Sequence, residues 1–219
     1  MGLRAFGLGM LSVYLPAERV LSLSYPDLLV SQAMLEQIWG VRTFAERDFG
    51  KWHGLQHPIP ETVEAFARKG TKEFRCVDAV PSRGIEEVCD LNEPQDFGEY
   101  DLVIDAGTTE HCANFWQATV NAANAVKVGG VIFHTPPLTM INHGFVCPQP
   151  TFYYDTYTQN GWALEKMVLS NGERWCDSPR INRFNMDPDY SIYVIARRLT
   201  DAPMKCPTQS KYLNNPKLA

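Results

Sequence analysis

The chain has 219 residues, 45% of them hydrophobic and 21% charged, with Lys+Arg 20 against Asp+Glu 25 and a formal net charge of −5. That is ordinary globular composition in a chain long enough to bury a core without disulfide or metal staples, and it excludes disordered, collagen-like and coiled-coil proteins. A mildly acidic chain also lacks the broad cationic face that duplex nucleic acid demands, because that grip is made of many phosphate contacts.

The N-terminal stretch has one early cation, Arg4, and then an apolar run over residues 5–15 broken by Gly7 and Gly9. It loosely mimics a secretory leader, but it runs into Pro16-Ala17-Glu18 without an Ala-x-Ala cleavage site. It is also too short to span a bilayer. Phe6 stands where the myristoylation pattern has Ser or Thr. Six cysteines, at 76, 89, 112, 147, 176 and 206, contain no Cys-x-x-Cys pair, so zinc-finger and thioredoxin-type spacing is absent. They read as reduced, mostly buried thiols of a cytoplasmic protein.

Residues 19–24 read as a first strand. Pro26 opens a helical pattern whose apolar face is Leu28, Leu29, Met34, Leu35 and Ile38, ending at Gly40. Residues 41–59 look irregular, and long ordered connections are often functional. Pro60-Glu61-Thr62 starts a second helix, closed by Gly70. Strands follow over 74–80, 85–89 and 100–104. Thr108 or Thr109 caps a long helix running to about Lys127, which Gly129-Gly130 stops. Residues 131–134 form a strand, 151–160 a helix stopped at Gly161, and 162–169 and 190–197 two last strands paired antiparallel. Residues 201–219 are polar and Pro-rich and read as a loose tail.

Alternation of strands and helices predicts an α/β fold: a Rossmann-like, doubly wound, mainly parallel sheet of seven strands with an antiparallel strand near the C-terminus. The domain reading is one α/β domain over 1–200 and a tail over 201–219. In such sheets the ligand lies outside the carboxyl ends of the strands, where strand order reverses. Asp78, Asp90 and Asp105 all sit at such ends. A carboxylate after the second strand suits two ribose hydroxyls, and one after the third suits an adenine amino group with Leu91 packing on the ring. Turn and cap positions favour aspartate in any case.

These residues carry a family resemblance. Tyr100-Asp-Leu-Val-Ile-Asp-Ala-Gly-Thr-Thr-Glu-His111, a helix, and then Val128-Gly-Gly-Val-Ile-Phe-His134 resemble the fourth-to-fifth-strand region of class I S-adenosylmethionine-dependent methyltransferases, of the small-molecule and ubiquinone-biosynthesis type. Asp90-Leu-Asn-Glu-Pro94 resembles the loop after that family's third strand, and Gly161-Trp162 its step into the sixth. The likeness spans residues 72–170 well and the N-terminal third weakly. It implies S-adenosylmethionine as cofactor, held by Ser24, Tyr25, Asp27, Asp78, Asp90, Leu91, Asp105 and Gly107. The family's glycine-rich loop after the first strand is replaced by Ser22-Leu-Ser-Tyr-Pro-Asp27, without glycine. Either Ser24 and Asp27 take over contacts that bare backbone makes elsewhere, or cofactor binding is lost.

The resemblance also implies acid–base groups at Glu110 and His111, which match the family's Glu-His pair. His143, in the loop after the fifth strand, is a second proton acceptor beside the same pocket. Asn142 and Phe145 of that loop, with Arg180 and Arg183 before the last strand, are the substrate-side residues; the arginines suit a phosphorylated or carboxylated acceptor. Tyr25, Trp52, Phe145, Tyr153, Tyr154 and Trp175 are aromatics available for stacking. No metal is expected: His53 and His57 have a four-residue spacing that suits a metal only on a helix, which Gly54 and Pro58 oppose.

The activity so implied is methyl transfer to a small-molecule, sugar or nucleotide-like acceptor. A scaffold subunit that has lost catalysis, and an enzyme using the same nucleoside pocket for other chemistry, are the rival readings. The expected partners are the acceptor and, as an allowed assembly, a homodimer, with no duplex nucleic acid and no membrane.

Overall fold

The structure, a computed structural model, describes residues 2–48, 54–180 and 182–213. Helix α1 (Ala5–Ser12) precedes strand β1 (Arg19–Leu23). Helices α2 (Gln32–Trp39) and α3 (Thr62–Arg68) lead to β2 (Glu73–Asp78), the two-residue β3 (Glu87–Val88) and β4 (Tyr100–Asp105). Helix α4 (Phe115–Asn124), β5 (Val126–His134) and α5 (Pro150–Gln159) follow. The chain continues with β6 (Trp162–Ser170), β7 (Trp175–Asp177), β8 (Ser191–Arg198) and a single helical turn, α6 (Ser210–Leu213).

These strands form one eight-stranded sheet in the order β7-β6-β8-β5-β4-β1-β2-β3. β1 to β5 pair in parallel, whereas β8 is antiparallel to both β5 and β6. The eighth strand is β7, a short antiparallel edge on β6 lying between the two strands expected to be the last. Strand order reverses between β1 and β4, the first having gone outward to β2 and β3 and the chain then returning to β4 on its other side.

Residues alternate between the faces of each strand, so one sheet feeds two cores. Leu102 and Ile104 of β4 and Val131 and Phe133 of β5 pack with Leu8, Leu11, Leu35, Trp39 and Phe66 of the first three helices. Val103, Ile132 and Leu21 face the other way, against Ala118 and Ala122 of α4 and Tyr153 and Tyr157 of α5. The apolar run near the N-terminus is thus a core helix, with Leu8 and Leu11 fully buried. Each such leucine contributes roughly 1.5–3 kcal/mol.

Several boundaries differ from the sequence reading. α2 begins at Gln32, not near Pro26, because Ser31 caps it through the Met34 N–H and because Asp27–Leu28 instead pairs with Gly2–Leu3 in a short parallel ladder. Thr108 and Thr109 head a short 3-10 turn; the helix starts six residues later, capped by Asn114. Gly129-Gly130 does not end that helix, which stops at Asn124. The pair lies inside β5, where its register on β4 shifts between Tyr100 and Leu102. A Cβ on Gly130 would sit 2.9 Å from the Asp101 carbonyl, so the irregularity requires glycine there. The thiols are all free, but Cys176 and Cys206 are exposed and only Cys76 and Cys112 fully buried. The polar tail is tied to α5 as far as Ser210: Lys205 N–H bonds Asn160, Thr208 N–H bonds Gln159, and Ser210 N–H bonds Asp155. Among the described residues no helix is long and apolar enough to cross a membrane.

Candidate functional site at the carboxyl ends of the strands

The tips of β1, β4 and β5 lie side by side, with Leu23 opposite Asp105 and Asp105 opposite His134. Asp105 is fully buried and belongs to a polar chain running into the core. Its Oδ1 accepts the N–H groups of Thr108 (3.0 Å) and Thr109 (3.2 Å), and its Oδ2 accepts the Thr109 hydroxyl (2.6 Å) and the His134 Nδ1–H (2.7 Å). The other ring nitrogen of His134 accepts the Tyr157 hydroxyl. Burial alone would raise the Asp105 carboxyl, but the His134 hydrogen bond, then the Thr109 and Thr108 donors, hold it below the usual carboxylate range. Burial, then the nearby Asp105 charge, pushes the Tyr157 phenol up. The sequence-predicted contact of Asp105 with a ligand is therefore replaced by a structural role that orders the turn after β4.

At the tip of β1, Ser24 is buried with φ +81, the left-handed conformation that favours glycine. Its N–H donates to the Val77 carbonyl (2.6 Å), and the Thr108 hydroxyl lies 3.0 Å from its Oγ. Ser22 Oγ caps the Ser24 carbonyl at 2.7 Å. The turn keeps the backbone path that a glycine would give. Tyr25 is buried, its hydroxyl paired with Glu61 and accepting the Thr62 N–H at 3.2 Å. Asp27 is buried and gripped by the Arg83 guanidinium in a two-pronged ion pair at 3.2 and 2.5 Å. Neither presents itself as an open ligand contact; Tyr25 pins the turn after β1 to the start of α3, and Asp27 pins it to the loop between β2 and β3.

Asp78, at the end of β2, is half-buried and caps the Val80 N–H at 3.3 Å. Asp90 is exposed and caps Asn92, while Leu91 packs in the core and Gly107 takes φ +86 beside Asp105. The strand-end carboxylates thus split, Asp78 and Asp90 facing outward and Asp105 inward.

A second group lies on the turn after β4. Glu110 is completely buried, and neither of its carboxylate oxygens has a hydrogen-bond partner among the described residues. His111 Nε2 and His143 Nε2 stand 4.0 and 3.9 Å from Glu110 Oε1, and their rings are 5.3 Å apart. Burial, then repulsion from Asp105, pushes the Glu110 carboxyl up to about 8. Burial, then the neighbouring His143, lowers His111. The loop after β5 is held onto this turn by the Phe145 N–H, which donates to the Glu110 carbonyl at 2.8 Å. Gly144 makes the contact possible, since a Cβ there would lie 2.7 Å from the same carbonyl.

Asn142, at φ +62, and Phe145 are exposed on that loop. Arg183 lines a hollow of about 790 Å³ with Leu138, Thr139, Gln149 and Lys211; Arg180 instead lies over the Tyr154 ring. Tyr153 is buried in the core and Trp175 is on the β7 edge. His57 is exposed beside Pro58; Trp52 and His53 lie outside the described residues. Sequence reasoning missed His134, Tyr157 and Arg83. His134 was findable as the residue ending β5 beside Asp105; the other two had no local signal.

No protein-family model and no curated protein sequence matches the chain. Among solved structures it is similar to an O-methyltransferase family protein from Burkholderia thailandensis, at 14% identity and a TM-score of 0.50, over 90% of this chain and 56% of that one. A second similar structure is the O-methyltransferase of a trans-AT polyketide synthase multienzyme from Brevibacillus brevis, in complex with S-adenosyl-L-homocysteine, at 7% identity and a TM-score of 0.44. That comparison covers 76% of this chain and 54% of that one. The chain therefore spans little more than half the length of the structures it matches. Sheet order, helices on both faces and the first of these likenesses together identify its architecture as the class I methyltransferase fold.

Proposed function

We propose that the chain is an S-adenosylmethionine-dependent methyltransferase acting on a small-molecule, sugar or nucleotide-like acceptor. The observation that carries this reading is the neighbourhood of two different polar sets at one end of the sheet. Outward carboxylates lie at β2 and after β3, and the imidazole–carboxylate cluster lies after β4, flanking the point where strand order reverses. When bound, the cofactor supplies a methyl group on a positively charged sulfur.

The residues of the chain divide the remaining work. Asp78 accepts the ribose hydroxyls, and Asp90 and Leu91 receive the adenine. The Ser24 turn and Gly107 approach the amino-acid part, while Tyr25, Asp27 and Arg83 hold that turn in place. The acceptor lies against His111 and His143, whose exposed ring nitrogens take up its proton, with Asn142 and Phe145 closing over it. Arg183, in the 790 Å³ hollow, favours an anionic acceptor. Alignment and exclusion of water supply much of the acceleration in such displacements, so few catalytic groups are needed.

Calorimetric titration of the folded chain with S-adenosylmethionine and S-adenosylhomocysteine tests this. Saturable one-to-one binding is expected; a flat titration with protein of native circular dichroism refutes the reading and leaves the scaffold role. In an assay of S-adenosylhomocysteine release, His111→Ala should lower turnover far more than cofactor affinity, and full turnover would make His111 structural.

A further inference from the structure

Glu110 poses a chemical question that proton transfer does not answer. Buried side-chain oxygens are nearly always hydrogen-bonded, and an exception calls for a partner such as an ordered water or an ion. Here both oxygens of a fully buried carboxylate are without one among the described residues. Two imidazoles face the same oxygen from different loops, at 4.0 and 3.9 Å. Those separations are too long for direct hydrogen bonds. All three ligand atoms lie within 4.8 Å of one another.

We infer that Glu110, His111 and His143 form a binding site for one divalent transition-metal ion of the zinc class, held by one carboxylate oxygen and two imidazole nitrogens, with a position left for an oxygen ligand. Ligands of a tetrahedral ion at zinc–nitrogen and zinc–oxygen distances stand roughly 3.3 Å apart. The half-exposed imidazoles close that gap by side-chain rotation, while the carboxylate stays where the core holds it. Two nitrogen donors with one carboxylate suit zinc, cobalt or iron and not magnesium or calcium, which prefer all-oxygen shells. Three protein ligands with an open position is the pattern of catalytic rather than structural zinc sites. The backbone supports it: the Phe145 N–H on the Glu110 carbonyl and the close seat of Gly144 fix His143 relative to the carboxylate.

The consequence for reactivity rests on the proposed function above. A water or acceptor hydroxyl coordinated in the open position loses its proton to bulk solvent more readily than a free one. With the ion bound, the imidazoles act as ligands and do not take up that proton themselves.

The test is binding, not turnover. Full-length protein stripped by chelator is titrated with Co²⁺, followed by its visible absorption, and then with competing Zn²⁺. One equivalent per chain is expected, displaced by Zn²⁺ but not by Mg²⁺. Glu110→Gln and His143→Gln, each checked for native circular dichroism, should weaken binding about 100-fold or more, since loss even of a group that only orients a metal ligand costs about 10–100-fold. Binding below one equivalent, affinity in either variant equal to that of the parent chain, or equal displacement by Mg²⁺ overturns the inference. So does loss of the ion in Cys176→Ser or Cys206→Ser, which would move it to the exposed thiols. S-adenosylhomocysteine titration of the same stripped protein reports on the cofactor site separately, so failure of one reading is distinguishable from failure of the other.

Discussion

Replacing His134 by leucine should be among the most damaging single changes available in this chain. The imidazole is 1% exposed and stands between a fully buried carboxylate and a buried phenol. His134→Leu keeps a similar apolar volume but removes a donor to an ionised group, worth about 1.5–3 kcal/mol, and leaves the Tyr157 hydroxyl unpartnered at about 1–3 kcal/mol. The expected loss is about 3–6 kcal/mol, which for a chain of this length lowers Tm by roughly 6–24 °C. Tyr157→Phe, at the far end of the chain of bonds, leaves the His134 Nε2 without its donor at about 1–3 kcal/mol but keeps the bond to the ionised Asp105, and should therefore cost less than His134→Leu.

The same pair makes a pH prediction. The Asp105 carboxyl is held below its ordinary value in the folded protein. Its contribution is therefore present above the unfolded carboxylate value of about 3.9 and is lost as pH falls through the lower folded value. The acid limb of the Tm–pH profile should accordingly be shallower in His134→Leu. Urea unfolding at neutral pH and thermal melts between acid and neutral pH measure both effects. A His134→Leu protein within about 1 kcal/mol of the parent, or a Tyr157→Phe protein as damaged as it, would refute the reasoning that Asp105 is stabilised through this bond.

Three further outcomes follow from the site. Asp78→Ala should weaken S-adenosylhomocysteine binding while leaving the far-ultraviolet circular dichroism and Tm essentially unchanged, because its carboxylate makes only a long cap to the Val80 N–H, at 3.3 Å, among the described residues; unaltered affinity in calorimetry removes it from the site. Ser24→Gly should be more stable than Ser24→Ala by about 1–2 kcal/mol in chemical denaturation, since alanine keeps the left-handed cost at φ +81 and glycine does not; the reverse order would show that the turn is unstrained. Gly144→Ala places a Cβ 2.7 Å from the Glu110 carbonyl and should cost about 1–3 kcal/mol while displacing His143, and wild-type stability would mean the loop after β5 yields freely.

How far the sequence carries can be judged from particular residues. β1, β4, α3 and α5 were legible because their apolar spacing and their Gly or Pro punctuation are local. The break at Asn124 and the strand carrying Gly129-Gly130 were not: a glycine pair reads as a helix stop unless the register of β5 on β4 is known. β7 was invisible because three exposed residues pair only by virtue of lying beside β6.

Within the candidate site, the sequence by itself determined which side chains reach the carboxyl end of the sheet, since strand-end positions follow from a two-residue period and a turn signal. Tertiary structure alone decided what each of them meets there. Asp105 meets His134, 29 residues on, through sheet register; Asp27 meets Arg83, 56 residues on, across two loops; and the Glu110 carboxyl is left without a hydrogen bond among the described residues while His143 is brought to it by a glycine contact. Local propensity acts over a few residues, whereas the partner of a buried charge is chosen by the packing of segments distant in the chain. That is why the acidic strand ends were foreseeable and their division into a core anchor, a locked turn and an unpaired carboxylate was not.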